Sequence, residues 1–409
     1  MGQTKKNIYV LDIGSHKISC CIGFTDQNGK IDILSYYPVL SNSFKNGIIS
    51  DLNQLSKDIG NAIQSAEELA EEQIEHVLVS FSGALSKSAY LHIEENLYGN
   101  VITKEYISKL LTKAYHEKIN EKEDIMHFLP INFSINGKNG IKEPVGQYAD
   151  ILGIDVHFVK VNRIFKKNLE AAVIKNRLKV IGFCNSNYAS GLGVLTSDEK
   201  EMGSCVIDIG AGSTDISMFK GGDWLHSFSI IGGGLDISGK IKSNLKCSFA
   251  TAEKLKNLHG SINDFNVKGY IEYREEGVFD KTFLQQYDKK DFKNLIKSEV
   301  EVILKRCKER LDDNFYFSHA NKVIVLTGGL ALTEGIKELA EEIFNIPVRI
   351  GNLQNIVNMP VSYNNSMSAC TSGLLHYYAG GNFDKEHEIE SVNKMVNMKK
   401  FLKRLKENL

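Results

Sequence analysis

Three short stretches of this 409-residue chain end an apolar run with glycines and an acidic or hydroxyl side chain. The first is Asp12-Ile13-Gly14-Ser15, with Lys17 close behind, and the second is Asp208-Ile209-Gly210-Ala211-Gly212-Ser213-Thr214. The third is Thr327-Gly328-Gly329, followed by Ala331 and Gly335. Small residues leave backbone N–H groups uncovered, which is what close approach to a polyphosphate requires. A carboxylate beside a polyphosphate is tolerable only with a cation present, so Asp12 and Asp208 are candidates to hold magnesium, mainly through water. Lys17 reads either as a point charge for a phosphate or as a solvent-exposed strand lysine. The third stretch suits a loop lying flat against a purine. Each alone is also an ordinary turn, because hairpins use Asp and Gly everywhere. The three in order point to an ATP and Mg2+ site.

These loops need strands to carry them. Residues 7–13, 17–24 and 30–37 read as a β-meander, with Asp26-Gln27-Asn28-Gly29 as its second turn. Residues 51–71 follow with apolar side chains three and four apart, from Leu52 to Ala70, which predicts an amphipathic helix. The meander pattern returns at 205–209, 215–219 and 224–230. A repeat this far apart predicts two similar halves facing one another. Between them, residues 82–163 read as an insertion with its own strands and a helix over 104–118. Helices are expected near 250–259 and 291–311, and a strand over 322–326 running into Thr327.

Composition bounds the class. With 42% apolar and 24% charged residues and 5 prolines, the chain reads as globular and long enough for several subdomains. The seven cysteines are odd in number, scattered and without a C-x-x-C pair, so they read as buried thiols in a reducing cytosol. No run of 18 apolar residues exists and the N-terminus lacks the apolar stretch of a secretory signal. A protein that neither spans the membrane nor leaves the cell is expected. Met1-Gly2 is a poor myristoylation signal because Lys6 stands where Ser or Thr is wanted.

The net charge of -1 hides an asymmetry. Residues 393–409 carry Lys394, Lys399, Lys400, Lys403, Arg404 and Lys406 against Glu407 alone, so the tail is +5 and the body about -6. That balance argues against a nucleic-acid surface spread over the fold. Met395, Met398, Leu402, Leu405 and Leu409 recur at intervals of three and four, with Phe401 widening the stripe. One face is apolar and the other cationic, the pattern of a helix lying in an anionic membrane interface. Such a tail is in general more often a solvated helix or a partner-binding coil. The polar stretch 379–392 before it reads as a linker.

The order and spacing of the three loops resemble the actin, heat-shock chaperone and sugar kinase superfamily. Within it the chain is similar to the FtsA family of bacterial cell-division proteins. GIKEPVGQYADILGIDVHFV (140–159) resembles the segment closing that family's inserted subdomain, ATAEKLKNLHG (250–260) its A-E-x-hydrophobic-K segment, and VLTGGLALTEGI (325–336) its adenosine motif. The resemblance runs from about Ile8 to Tyr378, and the basic tail matches the family's membrane-targeting end.

It implies an α/β, actin-like ATPase fold of two similar halves around a nucleotide cleft. Subdomain 1A would comprise 1–81, 164–195 and 350–378; the inserted 1C, 82–163; 2A, 196–230 and 312–349; and 2B, 231–311. Glu253 and Lys256 become candidate ribose contacts, or else a surface pair at i, i+3. Implied partners are the C-terminal tail of FtsZ, further copies of the chain in actin-like protofilaments, anionic lipids and later divisome proteins. The implied place is the cytoplasmic face of the inner membrane at the division septum. FtsZ is expected to dock between about 231 and 311, with Lys293, Lys297, Lys305 and Arg306 as candidate cations on the helix expected near 291–311.

Two departures stand out. Ala211 replaces the commonest glycine of its position. The segment 184–190, corresponding to the loop where related proteins place an acid or amide to orient water, has Ser186 and no Asp, Glu or Gln. A hydroxyl is a poor base at neutral pH, so slow or absent hydrolysis is expected, with no catalytic residue assigned. A small-molecule kinase would need a substrate-side carboxylate, and none stands out. A type IV pilus assembly adaptor would share the fold but gives no reason for the basic tail.

Overall fold

The computed structural model describes residues 7–45, 48–263, 267–276 and 282–380. The basic tail with its apolar stripe, and the expected linker from 381 on, lie outside the described residues.

Strands β1 (Asn7–Ile13), β2 (Lys17–Thr25) and β3 (Ile31–Leu40) form the expected meander, the second and third running slightly further than their sequence pattern suggests. A short ladder of β4 (Phe44–Lys45) and β5 (Ile48–Ile49) leads into helix α1 (Leu52–Ala70). Asp51 starts that helix by accepting from the N–H groups of Asn53 and Gln54, and Glu71 ends it in the left-handed region at φ 52°. Leu55, Ile59, Ala62, Ile63 and Ala66 form its buried face, each large one contributing about 1.5–3 kcal/mol relative to exposure. Strand β6 (His76–Phe81) then pairs parallel with β1.

The insertion builds a sheet of its own. It comprises β7 (Ser86–Val101), helix α2 (Lys104–Lys118), β8 (Glu123–Ile135), β9 (Lys138–Ile141) and β10 (Tyr148–Asn162), in the order β7-β10-β8-β9. Helix α3 (Arg163–Ile174) and β11 (Lys179–Asn185) return to the first sheet, and helices α4 (Ser186–Val194) and α5 (Ser197–Met202) lead to the second half. The segment 184–190 is therefore a strand end and helix start, with Asn185 capping α4, where the sequence reading has a loop.

The second half repeats the first. Strands β12 (Ser204–Ile209), β13 (Ser213–Lys220) and β14 (Asp223–Ile231) are its meander. Then come α6 (Gly234–Leu245), α7 (Phe249–His259), the hairpin β15 (Tyr270–Glu276) and β16 (Thr282–Asp288), and α8 (Lys289–Asp312). Strand β17 (Val323–Thr327), helix α9 (Ile336–Phe344), β18 (Val348–Ile350), β19 (Ile356–Val357) and α10 (Ala369–Ala379) complete the described chain. The sheet orders are β11-β6-β1-β2-β3-β19 and β14-β13-β12-β17-β18. In each, a three-strand antiparallel meander carries two parallel strands on the side of its first strand, which puts β1 and β12 in equivalent central places.

Helices α4 and α10 lie between the sheets and hold the halves together at glycine contacts. A methyl on Gly373 would overlap the Ala189 carbonyl, and one on Gly193 the Ala369 carbonyl. The insertion docks through rings: His157 lies edge-on to Trp224, whose carbonyl oxygen is 2.9 Å from its Nδ1, and Tyr90 stacks on Tyr316 at 4.5 Å. Burial pushes His157 down to about 3 and His226 to about 4, so both rings are neutral at physiological pH.

The helix crossing gives a direct test. Gly373→Ala is expected to cost about 1–3 kcal/mol or more. Gly239→Ala, where a methyl meets open space in α6, is expected to stabilise by about 0.5 kcal/mol. Thermal melting of the two variants checks this; equal melting temperatures would contradict the crossing.

Candidate functional site

The C-terminal ends of β1 and β12 face one another across a cleft of about 450 Å³, a size suited to a small-molecule ligand. Its walls include Asp12, Gly14, Ser15 and Lys17 from the first half, and Asp208, Gly210, Gly212, Ser213, Gly328 and Gly329 from the second. Asp12 accepts from Ser80 Oγ at 2.5 Å, Cys370 Sγ at 3.2 Å and Thr371 Oγ1 at 3.3 Å. Asp208 accepts from Ser190 Oγ.

The two phosphate-type turns close alike. Gly14 N donates to Lys17 O and Gly210 N to Ser213 O, each at 3.0 Å. The second turn is braced from behind: Gly232 N donates to Gly212 O, Gly234 N to Gly210 O and Leu235 N to Ala211 O. The first turn of α6 thus satisfies the loop's carbonyls. The run Gly232-Gly233-Gly234 that makes this possible carries no chemistry of its own, and sequence reasoning missed it; its signal was three consecutive glycines just after the meander. Gly328 completes the site at φ 86°, and any side chain there would strike Asp208 and the Ile209 carbonyl.

Three residues sit elsewhere than the motif reading has them. Thr214 is fully buried and donates to Gly232 O, so it supports the loop without lining the cleft. Glu253 and Lys256 form an ion pair at 2.8 Å in a network with Ser238 and Gly234 O. They do not line the cleft, whereas Asn257 does. Lys17 reaches the wall, but its ammonium donates to Tyr36 OH at 3.0 Å.

A carboxylate missed in sequence reasoning also lies on the wall. Asp215, 7% exposed, pairs across the strands with Asp208 and accepts from Ser186 Oγ at 2.8 Å. Residues directly opposite in an antiparallel pair share a face, so two acids project together. The signal was alternation: Ser213 and Asp215 are two apart in one strand.

Asp208 is half-buried on the cleft wall. That burial, opposed by the Ser190 hydrogen bond and reinforced by the charges of Asp215 and Asp12, raises its carboxyl to about 7. Among the described residues, no cluster of three His, Cys, Asp or Glu forms a ready-made metal cage. Two carboxylates facing small-residue loops fit a hydrated hard cation carried by a phosphate ligand.

A carboxyl raised from 3.8 to about 7 keeps a proton in the folded chain that the unfolded chain has already lost. Ligand-free stability contributed by Asp208 is therefore present below about pH 4 and is lost as pH rises towards 7. Melting curves across that window are expected to show a smaller acid-side advantage in Asp208→Asn than in the unmodified chain. Parallel curves would contradict the shift.

Comparison with known proteins agrees with this geometry. A family model described as cell division protein FtsA matches residues 205–373, and one described as an SHS2 domain inserted in FtsA matches 83–160. The cell division protein FtsA of Agrobacterium fabrum is 30% identical over 382 residues, covering 90% of this chain and 86% of that protein. That of Escherichia coli K12 is 28% identical over 405 residues, covering 94% and 93%. Among solved structures, a chain of the PilM-PilN type IV pilus biogenesis complex superposes with a TM-score of 0.65 at 12% identity, covering 91% of this chain and 98% of that one. MreB5 of Spiroplasma citri bound to AMPPNP does so with a TM-score of 0.59 at 13% identity, covering 94% and 100%. At such identities these two speak for the fold alone, an actin-like ATPase fold. The match in sequence along nearly the whole length, with the inserted domain in its place, decides the family: this chain belongs to the FtsA family of cell division proteins.

Proposed function

We propose that the chain binds Mg-ATP between its two halves and uses the bound state to tether the FtsZ ring to the cytoplasmic membrane at the division septum. The observation that carries the nucleotide reading is the pair of Asp-x-Gly turns facing one another over a cleft closed by Gly328. Asp12 and Asp208 hold magnesium through water, and Gly14, Ser15, Gly210, Gly212 and Ser213 receive the phosphates. Gly328 and Gly329 lie against adenosine, with Asn257 the nearest polar group that α7 offers. The subdomain boundaries proposed are those given above, with 82–163 as the inserted unit.

Binding carries this function, and turnover is slow. FtsZ docks by its C-terminal tail on the 231–311 region. On that region Arg306 donates to the Ile231 carbonyl, Lys305 pairs with Glu301 and Lys293 donates to the Asn263 carbonyl, and Lys293 and Lys297 are the cations proposed to meet the tail. Further copies of the chain assemble into actin-like protofilaments, and later divisome proteins join. The membrane is reached by the tail, whose apolar stripe and six basic residues suit an anionic interface. Each basic residue at an anionic surface contributes about 1 kcal/mol and each buried methylene about 0.8 kcal/mol, against the cost of ordering the tail. One tail therefore binds reversibly, and many on one filament bind avidly.

Two measurements test the reading. Calorimetry is expected to show Mg-ATP affinity falling about tenfold or more in both Asp12→Ala and Asp208→Ala; unchanged isotherms would remove the site. Deleting 393–409, or replacing Phe401 and Leu405 by Glu, is expected to leave that affinity intact while abolishing sedimentation with anionic liposomes. Continued sedimentation would move the anchor elsewhere.

A further inference from the structure

The cleft contains one carboxylate that neither phosphate-type turn accounts for. Asp12 and Asp208 stand at equivalent strand ends, and each has a cross-strand partner: Ser19 opposite Asp12, and Asp215 opposite Asp208. The duplication breaks here. Ser19 is buried against the Tyr36 hydroxyl, while Asp215 lines the cleft.

Asp215 is also held by both halves. Its backbone belongs to β13, and its Oδ2 accepts from Ser186 Oγ at 2.8 Å, where Ser186 is the first residue of α4 and lines the cleft too. Ser82 and Ser213 meet at 3.1 Å beside it, a second cross-half contact. An acid fixed in this way stands next to the Gly210–Ser213 turn without being one of the two strand-end carboxylates suited to the cation.

From this placement we propose that Asp215, aligned by Ser186, is the residue that positions and deprotonates the water attacking the terminal phosphate. The assignment rests on the Mg-ATP reading above. In the step, the water oxygen bonds to the γ-phosphorus and the bond from that phosphorus to the β–γ bridging oxygen breaks. The electron pair leaves with ADP, and the water proton passes to the Asp215 carboxylate and then to solvent. ATP and water give ADP, inorganic phosphate and a proton. Serine at 186 is then no substitute base; it fixes the carboxylate that does the work. Holding that carboxylate to a neighbouring hydroxyl limits its reach, which is consistent with a slow rate.

The test uses the full chain, with Asp215→Asn, which keeps the shape, and Ser186→Ala. ATP affinity by calorimetry and phosphate release in a single turnover are read on the same preparations, with melting as a check of folding. Asp215→Asn is expected to lower phosphate release about 100-fold while affinity holds or improves, since one negative charge leaves the cleft. Ser186→Ala is expected to lower release by about three- to tenfold, the carboxylate being present but less well aimed. Phosphate release in Asp215→Asn at the unmodified rate would overturn the assignment, as would an unmodified chain that binds ATP but never releases phosphate. An unmodified chain that binds no ATP would instead sink the nucleotide reading, and this assignment with it. If Asp215→Asn failed to fold, a Ser186→Ala variant with an unchanged rate would still count against the proposal.

Discussion

Two carboxylates that line one cleft repel one another, and a cation between them relieves the repulsion. Asp12 and Asp208 are in that position, and much of the described molecule serves to keep them there. Their strands are central in their sheets, their oxygens are held by Ser80 and Ser190, and glycine at 328 lets the third loop close over Asp208. Burial is the largest cause of the rise in the Asp208 carboxyl, and the charge of Asp215 and then that of Asp12 add to it. A hydrated cation under a polyphosphate relieves it.

Duplication builds this geometry with little sequence similarity between the copies. Both meanders place Asp next to last in their first strand, turn through a glycine whose N–H closes on the residue three further on, and pair with a parallel strand on the far side. The halves diverge where function divides. The first carries the insertion, which docks on the second through one stacked and one edge-on pair of rings. The second carries α6, whose first turn holds the phosphate-type loop by its carbonyls. The α4–α10 crossing at Gly193 and Gly373 brings two helix backbones together too closely for any side chain at either position.

How much of this was legible in sequence follows from the range of the interactions involved. The meanders and α1 could be read because period-two and period-3.6 patterns and turn residues are local signals. The Asp-x-Gly turns could be read because their chemistry sits in consecutive residues. What escaped depends on partners far along the chain. Thr214 lies inside a motif yet donates to Gly232, and Asp215 lies in a stretch that reads simply as strand. Its role depends on Ser186, 29 residues earlier, which sequence alone reads as a missing acid. Register between strands, not residue type, decides these cases.

The central claim is that the two aspartates jointly hold a cation-bound nucleotide. The most direct measurement is a crystal structure of the chain with manganese and a non-hydrolysable ATP analogue, using anomalous scattering to find the metal. One manganese peak is expected between Asp12 and Asp208, reached mainly through water, with the phosphates against Gly14–Ser15 and Gly210–Ser213. Nucleotide bound outside this cleft, or manganese remote from both aspartates, would contradict it.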